Sequence, residues 1–144
     1  MKVFFDTSVL VAACVEGHPE HERSFAWLAQ AHRREIEMVV ATHTLAELYA
    51  VLTRLPIRPR LVPSMVRRII RDNIEANAQV VEISTDQYRE VLDHLADQNL
   101  TGGIIYDALV AGVAKRQEVD ILLTLNRKDF IRAWPEGGEK IREP

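Results

Sequence analysis

Apolar residues along this chain fall into two alternating patterns: short unbroken runs, and longer stretches at helical spacing. The short runs predict strands at Lys2–Phe5, Glu37–Ala41, Gln79–Ile83 and Ile121–Thr124, with a brief fifth at Lys140–Arg142. β-branched residues dominate Met38-Val39-Val40 and Val80-Val81-Glu82-Ile83, as a packed, pleated surface favours. Between the runs, the spacing predicts helices over Val9–Val15, Glu20–Arg33, Leu45–Leu55, Pro63–Asn77, Gln87–Gln98, Ile104–Arg116 and Arg127–Ala133. Leu45, Leu48, Leu52 and Leu55 mark one buried helix face, and Pro56 and Pro59 end that helix because proline has no N–H to donate. Strands alternating with helices imply an α/β fold, a parallel sheet covered by helices on both faces. In such sheets ligands bind beyond the carboxyl ends of the strands, and chemistry is to be sought there.

The 144 residues suit one domain, taken as residues 1–144, and are enough to bury a proper core. At 47% hydrophobic and 27% charged, the composition is that of a globular rather than a disordered chain. No apolar run reaches the roughly 18 residues of a membrane span, since the candidates around Val9 and Ile104 are broken by Glu16 and Asp107. The opening Met1-Lys2-Val3-Phe4-Phe5-Asp6 is not expected to be a signal peptide, because an acid ends its apolar stretch at once. Cys14 is the single cysteine, which excludes an internal disulfide and a cysteine-built zinc site and suits a reducing cytoplasm. The net charge of -3 advertises no affinity for nucleic acid, so any such function must rest on local features.

Four acids stand where acids are unexpected. Asp6 follows Val3-Phe4-Phe5 and so ends the first strand, with Thr7 or Ser8 available to cap the next helix. Glu47 lies beside the leucine stripe on a face shared with His43, Ala50 and Arg54, and an exposed pair with Arg54 would be its ordinary use. Asp107 is the only charge in Ile104–Ala114, so its helix reads as buried nearly all round. A buried carboxylate without a partner costs several kcal/mol and demands a cation, donors or a proton. Asp129 lies just past Ile121-Leu122-Leu123-Thr124, in a segment that also carries Thr124 and Asn126 at a strand's carboxyl end. Each acid alone has a structural explanation, as cap, turn or solvated charge. If they converge, those explanations fail together. Two carboxylates ~5 Å apart repel by about 3 kcal/mol at an effective dielectric near 20, so a cluster needs protons or a metal. An all-oxygen cluster suits Mg²⁺ or Mn²⁺ rather than zinc. Such an ion activates water and stabilises phosphate charge, as phosphodiester hydrolysis requires.

Taken in order, these motifs resemble the PIN-domain family, and within it the VapC-type ribonuclease toxins. Val3-Phe4-Phe5-Asp6-Thr7-Ser8 is similar to the family's opening strand and first acid, and Leu45-Ala46-Glu47-Leu48 to its helical glutamate. Gly102 to Ala111 resembles the third acidic motif around Asp107, and Thr124-Leu125-Asn126-Arg127-Lys128-Asp129-Phe130 the last. The resemblance covers Met1 to about Phe130. It implies a five-stranded parallel sheet and endoribonuclease activity dependent on Mg²⁺ or Mn²⁺. It also implies homodimers and a cognate VapB-like antitoxin that occludes the acids. Asp6, Glu47, Asp107 and Asp129 are then the catalytic acids, with Asp6 and Asp107 on the metal. Thr7, Ser8, Thr124, Asn126, Arg127 and Lys128 are expected on the substrate side, the two basic residues gripping phosphate. Some members carry an acid where this chain has Asn126, so Asp129 supplies the fourth carboxylate.

Other signals carry less. His18-Pro19-Glu20-His21-Glu22 lacks the spacing of a zinc-protease helix and reads as the lead-in to the Glu20–Arg33 helix. Gly102-Gly103 is followed by no phosphate-loop pattern, and Cys14 reads as a small core residue. Arg67, Arg68 and Arg71 share a helix and read as a solvated basic strip. A phosphatase with an aspartyl nucleophile would need a second Asp at position 8, where Ser8 stands. A phosphorylated receiver would need an Asp ending the third strand, and Val80-Val81-Glu82-Ile83-Ser84 has none. A housekeeping RNA-processing nuclease without an antitoxin is the enzymatic alternative. A module that only binds RNA or a partner, with vestigial acids, is the non-enzymatic one, and the presence of all four acids argues against the latter.

Overall fold

A computed structural model describes residues 1–144. Five strands form one sheet: β1 (Lys2–Phe5), β2 (Glu37–Ala41), β3 (Ala78–Val81), β4 (Ile121–Leu123) and β5 (Ile141–Arg142). All pairings are parallel and the order is β3-β2-β1-β4-β5. The helices are α1 (Thr7–Cys14), α2 (His21–His32), α3 (Thr42–Arg54), α4 (Pro63–Ile69), α5 (Thr85–Asp97), α6 (Ile104–Arg116) and α7 (Arg127–Ala133).

Side chains alternate across the sheet, so each strand feeds two cores. Val3, Phe5, Met38, Val40, Ile121 and Leu123 face one way and pack against buried residues of α1 to α4, among them Leu10, Leu28, Leu48 and Val66. Phe4, Val39 and Leu122 face the other way, onto Val110, Val113 and Ala114 of α6 and onto Phe130. The result is a three-layer α/β/α sandwich around a five-stranded sheet. No helix is long and apolar enough to cross a membrane.

The strand order also places the site. From β1 the chain builds outward through β2 to β3, then returns to the other side of β1 for β4 and β5. The order reverses between β1 and β4, and at such a switch point the connecting segments diverge and leave a crevice. The residues leaving these two strands, Asp6 and Thr124, are neighbours there, and Asp6 N–H donates to Leu123 O at 3.0 Å.

Four sequence expectations shift. β3 ends at Val81 rather than Ile83, because its partner β2 ends at Ala41 opposite Val81. Helix α1 starts at Thr7, since Asp6 itself is the N-cap; neither Thr7 nor Ser8 takes that place. The segment expected as one helix over Pro63–Asn77 is α-helical to Ile69 and π-helical over Ile70–Glu75. Arg67 pairs with Glu75 and Arg71 with Asp72, which neutralises most of the basic strip.

Helix α5 opens with a capping box: Ser84 accepts from Gln87 N–H at 3.2 Å while Gln87 Oε1 accepts from Ser84 N–H at 2.6 Å. Leu95 is its only buried residue, so little packing compensates for a lost cap. Ser84→Ala is expected to destabilise the protein by about 1 kcal/mol, a fall of roughly 2–4 °C in melting temperature by calorimetry. An unchanged melting curve would refute it.

Candidate active site

Asp6 is the most constrained acid. It is only 6% exposed, and its Oδ2 accepts from Ser8 Oγ at 2.6 Å, Thr124 Oγ1 at 2.9 Å and Ser8 N–H at 3.4 Å. Burial pushes its carboxyl above the ordinary value. The Ser8 and Thr124 hydroxyls, and then the N–H groups of Thr7 and Ser8, pull it back. The hydroxyls thus hold a buried carboxylate ready to ionise. They belong to a wider lattice, in which Ser8 Oγ accepts from Leu125 N–H at 3.0 Å and Thr124 Oγ1 from Asn126 N–H at 2.9 Å. Three of the expected substrate-side residues, Thr7, Ser8 and Thr124, therefore bond to acids or brace the loop after β4.

Glu47 is fixed from α1. Thr7 Oγ1 donates to its Oε2 at 2.7 Å, and His43 Nε2 stands 3.4 Å from its Oε1. No bond to Arg54 forms. The His43 nitrogen is buried without a hydrogen bond, and its ring lies face to face on Tyr106, 5.2 Å between centroids and 1° apart in plane. This stack ties α3 to α6 beside the acids. The spacing of His43 four residues before Glu47 was a legible sign of that contact; the role of Tyr106 had none.

Asp107 corrects an expectation. Its helix is not buried all round: Tyr106 is exposed, and Asp107 is itself half-buried and makes no hydrogen bond. Its carboxyl is pushed up to about 6, first by burial and then by the charges of Asp6, Asp129 and Glu47. Those three repulsions are the electrostatic signature of convergence. Asp129 sits at the rim, about half exposed, with Arg132 at 3.6 Å.

Asp6, Thr7, Ser8, Glu47, Asp107 and Asn126 line one cleft of about 690 Å³ at the switch point, with Leu125, Val11, Ala50, Val51 and His18 completing its wall. Asp129, Thr124, Arg127 and Lys128 are not part of that wall. Arg127 Nε donates instead to Ile141 O at 3.0 Å, bracing β5, and Lys128 is exposed. His18, set aside on sequence grounds, lies in the cleft; its motif showed only a turn before a helix.

The donor set is carboxylate and hydroxyl oxygen, which suits a hard divalent cation. No three His, Cys, Asp or Glu side chains are gathered tightly enough to grip an ion by themselves. A small, strongly hydrated cation commonly takes only one or two carboxylates and completes its shell with water and phosphate. Asp107, unpartnered and crowded by like charge, is the residue that gains most from a cation.

The family model described as PIN domain matches residues 3–133. Ribonuclease VapC40 of Mycobacterium tuberculosis is 37% identical over 117 residues, 81% of each chain. The solved structure of VapBC2 from Rickettsia felis, bound to a DNA fragment from its promoter, superposes with a TM-score of 0.67 at 18% identity, covering 100% of this chain and 99% of that one. A toxin–antitoxin complex from Klebsiella pneumoniae gives a TM-score of 0.59 at 19% identity over 89% of each chain. The last two likenesses establish a shared fold.

Proposed function

This chain belongs to the PIN-domain family, and we propose that it is a divalent-cation-dependent endoribonuclease, the toxin of a toxin–antitoxin pair. The observation that carries the proposal is the convergence of Asp6, Glu47 and Asp129 on the unpartnered carboxylate of Asp107. The name of its ribonuclease relative supports RNA as the substrate.

In this reading residues 1–144 work as one nuclease unit. Asp6 and Asp107 hold Mg²⁺ or Mn²⁺. When bound, the ion lowers the pKa of water and offsets phosphate charge. Thr124 and Ser8 offset part of the cost of ionising buried Asp6, and Thr7 fixes Glu47. Glu47 is the acid placed to accept the proton of the attacking water as its oxygen bonds to phosphorus and the phosphodiester P–O bond breaks. Asp129 adds negative charge at the rim and Asn126 an amide for the substrate. Lys128, exposed beside the cleft, and Arg127 through the loop it braces, act on the flanking chain of the RNA.

A VapB-like antitoxin is the expected partner, in line with the structural neighbour that is a toxin–antitoxin complex. Exposed apolar side chains suit it: Phe25, Tyr49, Val51, Val62 and Met65 all belong to the α2–α4 layer. Val51 also lines the acid cleft, so a segment covering these residues reaches the acids. Exposed Tyr88 and Leu92, one turn apart on α5, offer a patch for a homodimer. A reducing cytoplasm suits the free Cys14.

Expression of the chain alone, and with the product of the adjacent gene, tests this function. Growth arrest with cleaved RNA in the first case and neither in the second is expected. Intact RNA during arrest would overturn the ribonuclease reading, and arrest unaffected by the neighbour would overturn the toxin–antitoxin reading.

A further inference from the structure

The acid cleft has no lysine or arginine in its wall, and His18 and Asn126 are the only side chains there that can donate an N–H. A phosphodiester entering among carboxylates needs a donor as well as a cation. His18 is held for that purpose on the short turn between α1 and α2. Its N–H donates to Val15 O at 2.9 Å, and its carbonyl accepts from His21 N–H at 2.9 Å. Its ring Nδ1 accepts from Glu20 N–H at 3.1 Å. A ring nitrogen that accepts carries no proton, so the neutral imidazole carries its proton on Nε2. That nitrogen makes no hydrogen bond within the chain and, unlike His43 Nε2, is not sealed from solvent.

We infer that His18 Nε2–H is the hydrogen-bond donor to a non-bridging phosphate oxygen of the bound RNA, making His18 a substrate-contacting residue. The inference rests on the ribonuclease reading above and adds a residue to it. The choice of residue type has a physical reason. A lysine or arginine at this position would pair with Asp6, Glu47 or Asp107 and compete with the cation for them. A neutral imidazole donates to phosphate without quenching the acids.

The test separates the two faces of the ring. In His18→Asn the amide oxygen can still accept from Glu20 N–H, but the side chain stops short of the Nε2 position. In His18→Gln the amide nitrogen lies near that position. With a short fluorogenic RNA and saturating Mg²⁺, His18→Asn is expected to raise KM about tenfold or more, as for a lost hydrogen bond to a charged group. Its kcat should change by less than about threefold, because the contact exists in ground and transition states alike. His18→Gln should recover most of the loss, and both variants should melt as wild type does. Equal impairment of both variants, a kcat loss at constant KM, or a wild-type KM in His18→Asn overturns the inference alone. Absence of RNA cleavage by the wild type in both Mg²⁺ and Mn²⁺ overturns it together with the ribonuclease reading.

Discussion

Asp107→Asn is expected to lower RNA cleavage at least ~100-fold while making the cation-free protein more stable. Few substitutions move activity and stability in opposite directions, and the reason is electrostatic. The carboxyl titrates near 3.8 in the unfolded chain and at about 6 in the folded one. Folding therefore favours its protonated form. The cost of ionising it is absent below about 3.8, grows between the two values and is fully present above about 6. Asn removes that cost. For this half-exposed group, discounted for solvent screening, the gain at pH 7.5 is about 1 kcal/mol, or ~2–4 °C in melting temperature. The gain should vanish in melts near pH 3.5. Wild-type activity in the variant, or a loss of stability at pH 7.5, would refute the expectation.

Thr124→Val should cost about 2–3 kcal/mol, the largest effect expected from a single hydroxyl here. Thr124 is fully buried; it donates to Asp6 Oδ2 and accepts from Asn126 N–H. Valine keeps the shape but strands a backbone N–H and strips a donor from a buried carboxylate. The Thr124 bond also draws the Asp6 carboxyl downward. Its loss pushes that carboxyl further up, so the acidic limb of the activity profile should move to higher pH. Chemical denaturation measures the first effect and a pH–rate series the second. Thr124→Ser, which keeps the hydroxyl, should restore the pH limb. If valine leaves both stability and the limb in place, Thr124 does not hold Asp6.

Much of this was legible because burial and chemistry leave different traces. β1 and β2 fall where their apolar runs fall, since a central parallel strand is buried on both faces and shows unbroken hydrophobicity. Asp6 was legible as the polar residue ending such a run, and Asp107 as a charge without neighbours of its kind. What stayed hidden depends on which elements meet. Helix α6 carries no charge but Asp107 before Lys115, yet the side bearing Asp107 faces an open cleft rather than protein. Thr7, read as a cap, turns its hydroxyl across to α3 because Asp6 already caps α1. Arg127, read as a phosphate grip, finds a carbonyl of β5 instead; the short strand was expected, but not that it would lie against Arg127. His18 was set aside because its sequence spacing fits no metal site, and only the fold shows its turn lining the cleft with Asp6 and Glu47.

The expected role of the acids also accounts for how an acidic chain meets an acidic substrate. The net charge of -3 includes the four carboxylates that a bound cation would partly offset. The most direct measurement is therefore the cation dependence of cleavage. Protein freed of metal with EDTA is given a generic single-stranded RNA, and the rate is followed as Mg²⁺ or Mn²⁺ is added back. The expected result is no cleavage without the ion, and a rate that rises and saturates with it. Cleavage that continues undiminished in EDTA would contradict the assignment of this acid cluster as a cation-dependent ribonuclease site.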